Sequence, residues 1–330
     1  MLNLDALKFE PVANIVNKYI GNRKLVLLDN NTLMRKLLSE NYNIEPIKII
    51  EKNNCENSVE YYELLEFVSK SDEYYICVSS CKYNEQLKLL LESYGYKEFK
   101  DFVFTYHKRI TLPPMTRDYA DEYGNKVIST GKFKVVLAPL AGNCVVDISE
   151  TVYAAGDSNI VMGGCNGQIE IDEYCKFDYN AHLEIFSYAR IVIHAKSTFT
   201  GNFTARATGG SVIEIGKDCM FSNDVEVYAG DGHSIFDIES HERLNKCYPH
   251  NEKNKILLGE HVWVGLKTII LASKIGKNSI VGAGSVVKGE LPESCIAVGN
   301  PSVVKKKGVT WSRNNYATSI SECGEEFKNI

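Results

Sequence analysis

The chain shows two grammars of hydrophobic and polar positions. Over the first hundred residues, short apolar runs alternate with amphipathic stretches. Leu25-Val26-Leu27-Leu28 reads as a strand closed by Asp29, Asn30 and Asn31, after which Thr32 caps a helix carrying Leu33, Met34, Leu37 and Leu38. Ile47 to Ile50 reads as a second strand and Tyr74 to Val78 as a third. Ser58–Lys70 and Asn84–Tyr94 carry apolar residues at helical spacing. Strands separated by helices predict βαβ units and a small parallel sheet, a Rossmann-like α/β domain over residues 1–110.

The second half has no long helical period and instead repeats every 22 residues. Ile169, Ile191 and Ile213 keep that step, as do Ile171, Ile193 and Ile215, then Phe177, Phe199 and Phe221, then Leu183, Ala205 and Val227. Bulky residues recur six apart within each unit, as in Ile171, Phe177 and Leu183. A small residue follows four places after many of them: Cys175, Ala181, Ser197, Cys219, Val225. Phe203 is the misfit. The step resumes at Leu258, Val264 and Ile270, then at Ile275, Val281 and Val287, with one residue missing between Ile270 and Ile275 that reads as a tightened corner. Such hexads predict a solenoid of short strands with three corners per coil over residues 133–310, in which each coil leaves its interior open until the next stacks on it. Residues 111–132, rich in turn formers, read as a linker, and residues 311–330 as a polar, mobile tail.

Composition narrows the reading. The 330 residues are 44% hydrophobic and 24% charged with a net charge of -5, the mix of a globular protein without the basic field of a non-specific nucleic-acid binder. No apolar run has the length of a transmembrane segment, and the start lacks the pattern of a secretory signal, which together give a cytoplasmic expectation. The ten cysteines contain no CxxC pair, so free thiols are expected, several of them as core filler, with no metal site. The first strand runs into LLDNNTLMRK without the glycines of a dinucleotide fingerprint. Asp29, Ser79 and Ser80 could line a nucleotide-sugar pocket at the strand ends, but a docking or scaffold role is the preferred reading of this domain.

The windows IGKDCM, LGEHVW, VGLKTI, IGKNSI and VGAGSV, with the closing AVGNPSVVKKKGVTW, resemble the hexapeptide-repeat acyltransferases. CMFSNDVEVYAGDGHSIFD followed by GEHVWVG resembles, within that family, the capsule and lipopolysaccharide sugar O-acetyltransferases. The resemblance covers roughly Ile169 to Trp311. It implies a left-handed parallel β-helix, acetyl-CoA as cosubstrate, a sugar or polysaccharide acceptor, and a homotrimer with active sites at subunit interfaces.

Acetyl transfer to a hydroxyl needs a base, an oxyanion donor and a long slot for pantetheine. Of seven histidines, His182 and His194 sit at variable hexad positions without special neighbours, His261 at a variable outward position, His241 and His250 in a polar stretch, and His107 in the approach to the linker. His233 sits where the coil pattern breaks, between Gly230 and Gly232 on one side and Ile235 and Phe236 on the other, in a loop leaving a rigid scaffold. The resemblance assigns the same residue as general base. Asp231 or Asp237 could orient it. Trp263 could wall the acceptor sugar or the pantetheine entrance, a use that similar sugar O-acetyltransferases make of a tryptophan. Gly265, Ala283 and Gly284 leave room for pantetheine, and Lys305, Lys306 and Lys307 suit the phosphates of CoA. Trp311 could stack on the adenine or cap the open coil. Two rival readings stand: an N-acetyltransferase of a nucleotide-linked amino sugar, and a non-catalytic β-helix scaffold.

Overall fold

The computed structural model describes residues 8–50, 64, 67–68, 70–79, 84–245 and 254–324. Its first unit is a four-stranded, all-parallel sheet in the order β2-β1-β3-β4, made of β1 (Lys24–Leu28), β2 (Pro46–Ile50), β3 (Tyr74–Val78) and β4 (Phe102–Phe104). Alternate residues of each strand feed opposite faces. Leu25, Leu27, Tyr75, Cys77 and Val103 pack under α1 (Glu10–Ile20) and α2 (Thr32–Tyr42). Val26, Leu28, Ile76, Val78 and Phe104 pack with Leu87 and Leu91 of α3 (Glu85–Ser93).

The cap of α2 is Asn31, whose side chain accepts from Met34 N, and Thr32 is already the first helical residue. Asn84 caps α3 in the same way. The expected helix over 58–70 lies largely outside the described residues, and α1 and β4 were not anticipated.

From Ile110 to Lys307 the described residues build a parallel β-helix with three faces. One face stacks Lys134–Leu137, Asn159–Met162, Ala181–Ile185, Phe203–Ala207 and Val225–Ala229. The second stacks Val145–Ile148, Gln168–Ile171, Arg190–Ile193, Val212–Ile215 and Lys255–Leu258. The third runs from Tyr153–Ala154 through Lys176–Phe177, Thr198–Phe199, Met220–Phe221, Trp263–Val264 and Ile280–Val281 to Cys295–Val298.

The 22-residue step is the observed register: Ile169 pairs Ile191 and Ile191 pairs Ile213, while Phe177, Phe199 and Phe221 stack through the third face. The small partners Cys175, Ala181, Ser197, Cys219 and Val225 are buried. Where they are polar, the adjacent coil satisfies them: Ser197 donates to Gly216 O at 3.0 Å and Ser279 to Pro292 O at 2.9 Å. Burial pushes the thiols of Cys175 and Cys219 up to about 12, which keeps them unreactive.

Phe203 is buried too. Its column reads Ala181, Phe203, Val225, and the neighbouring column Leu183, Ala205, Val227. The coil that enlarges one slot shrinks the next, which keeps the interior filled. Coils shorten after Leu258, to 17 residues up to Ile275 and 16 more up to Leu291. The missing residue is explained by one strand, Ile269–Ile275, that passes through the corner and pairs both faces.

The stretch expected as a linker is instead the first end of the solenoid. Ile110–Leu112 pairs antiparallel with Lys134–Leu137, while Arg117–Ala120 and Lys126–Ser129 form a hairpin whose second strand lies beside Val145–Ile148. At the other end, Val303–Lys307 pairs antiparallel with Cys295–Val298. Both ends of an open coil expose unpaired backbone groups, and an antiparallel strand satisfies them while stopping further stacking.

The two units are joined by direct contact. Tyr123 and Leu140 belong to the same buried cluster as α1 and α2, and Tyr188 Oη donates to Glu10 Oε2 at 2.9 Å. Gly142 permits the approach, because a Cβ there would stand 2.5 Å from Pro11 Cγ. His107 is buried in this seam, with Nε2 2.7 Å from Ala141 O. Among the described residues no helix is long and apolar enough to cross a membrane.

Candidate active site

The long excursion begins at Gly230, after Val225–Ala229, and returns at Lys255–Leu258, so it leaves the corner between the first and second faces. Gly230 has φ +97°, and a Cβ on it would lie 2.3 Å from Thr208 Oγ1, so only glycine lets the chain depart there. Residues 231–245 fold into an arm. Leu244 N donates to Ile235 O at 2.8 Å and Asp237 N to Glu242 O at 2.9 Å, with Phe236 bridged to Arg243.

Asp237 closes the tip. Its Oδ1 accepts from Ser240 N at 2.8 Å, Ser240 Oγ at 3.0 Å and Glu239 N at 3.1 Å, bonds that hold its carboxyl below the usual aspartate range. At the base, Asn245 reaches across. Its Nδ2 donates to His233 O at 2.6 Å and to Asp231 Oδ2 at 3.1 Å, and its Oδ1 accepts from Ile235 N at 2.7 Å.

His233 is thus presented, exposed, on an arm held by its own backbone and by Asn245. Neither Asp231 nor Asp237 hydrogen-bonds to its ring among the described residues. Both carboxylates are engaged in shaping the arm, so within one chain neither takes the orienting position. Ile235, Phe236, Ile238 and Leu244 leave apolar surface exposed on the same arm.

The other expected site residues lie elsewhere on the coil. Trp263 points outward from the third face, 36% exposed, between Met220 and Ile280 in the ladder. Ala283 and Gly284 are exposed at the corner between the third and first faces, and Gly284 (φ +69°) has open space where a side chain would stand. Gly265 is buried beneath them. A Cβ there would meet Ala283 N at 2.6 Å, so this glycine serves the contact between coils. Lys305, Lys306 and Lys307 are exposed on the closing strand.

Several groups differ from their sequence reading. His261, expected to point outward, is 8% exposed: Nδ1 meets Asp218 Oδ2 at 2.7 Å, Nε2 meets Trp311 O at 2.9 Å, and the Trp311 ring stacks on the imidazole at 4.0 Å. Trp311 Nε1 returns a bond to His261 O at 2.7 Å, and its ring lies 6.1 Å from that of Trp263. Trp311 therefore covers the coil beside Trp263.

The segment after it is fastened, against the expectation of a mobile tail. Arg313 Nε donates to Asp218 Oδ1 at 2.7 Å, and its guanidinium also reaches Thr198 Oγ1 at 2.8 Å and Cys219 O at 2.8 Å. His194, expected without special neighbours, lies between Asp172 (2.9 Å) and Glu214 (3.2 Å). Burial lowers its pKa, but the two carboxylates outweigh that and raise it. Among the described residues no cluster of His, Cys, Asp and Glu could hold a metal ion.

The clasp carries a pH prediction. Burial raises the pKa of Asp218, but hydrogen bonds from His261 and Arg313 more than compensate, so the net shift is downward. A carboxyl depressed in the folded state stabilises in full above its unfolded value of about 3.9, and the contribution fades as pH falls through the lower folded value. Asp218→Asn is expected to lower Tm at pH 7 and pH 5, by the equivalent of about 1–2 kcal/mol for charge-assisted bonds on a partly exposed group. The difference between wild type and variant should begin to narrow below about pH 4 and close as pH falls through the lower folded value. A gap that persists unchanged at pH 3 in thermal scans would contradict the assignment.

Fold and site together define a β-helical protein of short coils that holds out one histidine-bearing arm. No family model matches the chain. Over 135 residues, 41% of its length, it is 32% identical to the polysialic acid O-acetyltransferase of Escherichia coli O1:K1, of which the match covers 42%. It is 30% identical over 116 residues (35% of this chain) to the galactoside O-acetyltransferase of Lactococcus lactis, covering 53% of that protein. A candidate acetyltransferase of Saccharomyces cerevisiae, YJL218W, is 31% identical over 151 residues, 44% of this chain and 67% of that one. The chain thus spans about half the length of the first two curated relatives. The crystal structure of the polySia specific acetyltransferase NeuO covers 62% of this chain and 86% of its own, at 26% identity and a TM-score of 0.49. The chain belongs to the hexapeptide-repeat acetyltransferases.

Proposed function

We propose that the protein is an acetyl-CoA-dependent O-acetyltransferase acting on a sugar hydroxyl of a surface polysaccharide or its precursor. The observation that carries this is the arm: a rigid coil holds out His233 at the point where its period is broken, and the chain is similar to sugar O-acetyltransferases. His233 takes the proton from the acceptor hydroxyl as that oxygen attacks the thioester carbonyl. The C–S bond then breaks, and the imidazolium returns the proton to the departing thiolate. Acetyl-CoA supplies the activated acyl group. Exposed Ala283 and Gly284 suit its pantetheine arm, with Gly265 packed beneath them, and Lys305 and Lys306 suit its phosphates. Trp263 offers a flat, half-covered indole to the acceptor ring. Acetyl-CoA availability assigns the reaction to the cytoplasm.

Geometry supports the homotrimer implied by the family, whose coil is left-handed. The arm leaves one corner of the coil, whereas Ala283 and Gly284 lie at the next, across the face containing Val225–Ala229. A five-residue strand at about 3.3 Å per residue puts those corners about 16 Å apart, too far for one thioester to meet both within a single chain. Packing the corner of one copy against the next corner of another closes that gap and covers the apolar arm. The first unit then serves as a Rossmann-like docking domain fixed to the coil.

Mass spectrometry of acetyl transfer tests the reading. Acetyl-CoA is incubated with two pools, oligosaccharide fragments (oligosialic acid and galactosides) and nucleotide-linked amino sugars. A base-labile acetyl on the glycan pool is the expected result. A base-stable acetyl on the amino sugars would make the protein an N-acetyltransferase, and absence of acetyl-CoA binding would leave a scaffold.

A further inference from the structure

We propose that Asn245 is the positioning residue for His233, fixing the reach of the histidine-bearing arm; this rests on the reading of His233 as the base. Among the described residues, the amide of Asn245 makes three bonds that end within residues 231–235. One of them ends on the carbonyl of His233 itself, at 2.6 Å, so the backbone that carries the imidazole is gripped directly. A second ends on the Asp231 carboxylate, and the third takes the N–H of Ile235, so the grip brackets the histidine on both sides.

Among the described residues of the chain, few other bonds reach that strand of the arm. Residues 231–236 are all exposed among the described residues of one chain. The rungs of the arm begin only at Ile235, and below the histidine Thr208 Oγ1 touches Asp231 O at 3.4 Å. An exposed segment with so few contacts samples many backbone states unless a side chain selects one. Only an amide of this length both donates and accepts across the gap. Aspartate would keep the acceptor for Ile235 N, lose both donors and face the Asp231 carboxylate.

A double-mutant cycle in the full chain tests this, with acetyl-CoA and the oligosialic acid and galactoside fragments as probes. Asn245→Ala is expected to lower kcat about 100-fold, the scale of a displaced catalytic group, with the KM for acetyl-CoA and Tm unchanged. Combined with His233→Ala it should cost nothing further, because it acts only through the imidazole. Should Asn245→Ala fail to fold, Asn245→Asp is expected to show the same loss of kcat. Wild-type kcat in the Asn245 variants beside an inactive His233→Ala overturns this proposal alone. So does a raised KM with kcat intact, or a full additional loss in the double variant. A fully active His233→Ala removes the base and this proposal with it.

Discussion

Replacing His233 with alanine is expected to cut acetyl transfer about 1,000-fold, within the range of 10²–10⁴ that a positioned general base contributes. The arm's fold does not use the imidazole. Its bonds are backbone rungs at residues 235, 237, 242 and 244, the Asp237 turn and the Asn245 bracket, so the variant should keep its shape and Tm. Affinity for CoA, read by isothermal titration, should also hold, because the residues assigned to it lie at another corner and on the closing strand. His241 supplies the control. It sits exposed on the same arm with φ +57°, and His241→Asn, which tolerates that conformation, is expected to leave the rate unchanged. Wild-type turnover in His233→Ala would remove the mechanism.

What was legible beforehand follows from how each interaction is encoded. The coil is a local code: an inward residue every six positions and a repeat every 22, so the register of Ile169, Ile191 and Ile213 could be counted along the chain. The arm was visible as a break in that count. The clasp on His261 was not, because a covering group that is remote in the chain leaves no periodic trace. Arg313 and Asp218 are 95 residues apart, and Glu10 and Tyr188 are 178 apart. The first coil was hidden for another reason. Its strands, such as Ile110–Leu112 and Lys126–Ser129, are too short to show alternation among the prolines and glycines of their turns. Asn245 could have drawn notice only as an amide at the foot of a loop, a position where asparagine is commonplace.

Phe199→Ala is expected to destabilise the β-helix by about 3–5 kcal/mol, the range for removing a buried aromatic side chain. The upper half of that range is favoured by the site. The Phe199 ring lies between those of Phe177 and Phe221, at 4.3 and 4.7 Å and nearly parallel to both, with Phe203 4.4 Å away. Coils are spaced by their backbone ladders, about 4.8 Å apart, so the coils above and below cannot close on the vacancy. The cavity would therefore persist and add its own cost to the lost transfer energy. Because each coil is stabilised chiefly by its neighbours, damage at Phe199 should also weaken the coupling of the coils before and after it. The denaturation midpoint should fall, and amide exchange should quicken at residues 177 and 221 more than in the distant first unit. Phe199→Leu, which refills most of the space, should cost distinctly less. A loss below about 1 kcal/mol for Phe199→Ala would mean that the coil relaxes into the gap, which a backbone ladder on every face does not permit.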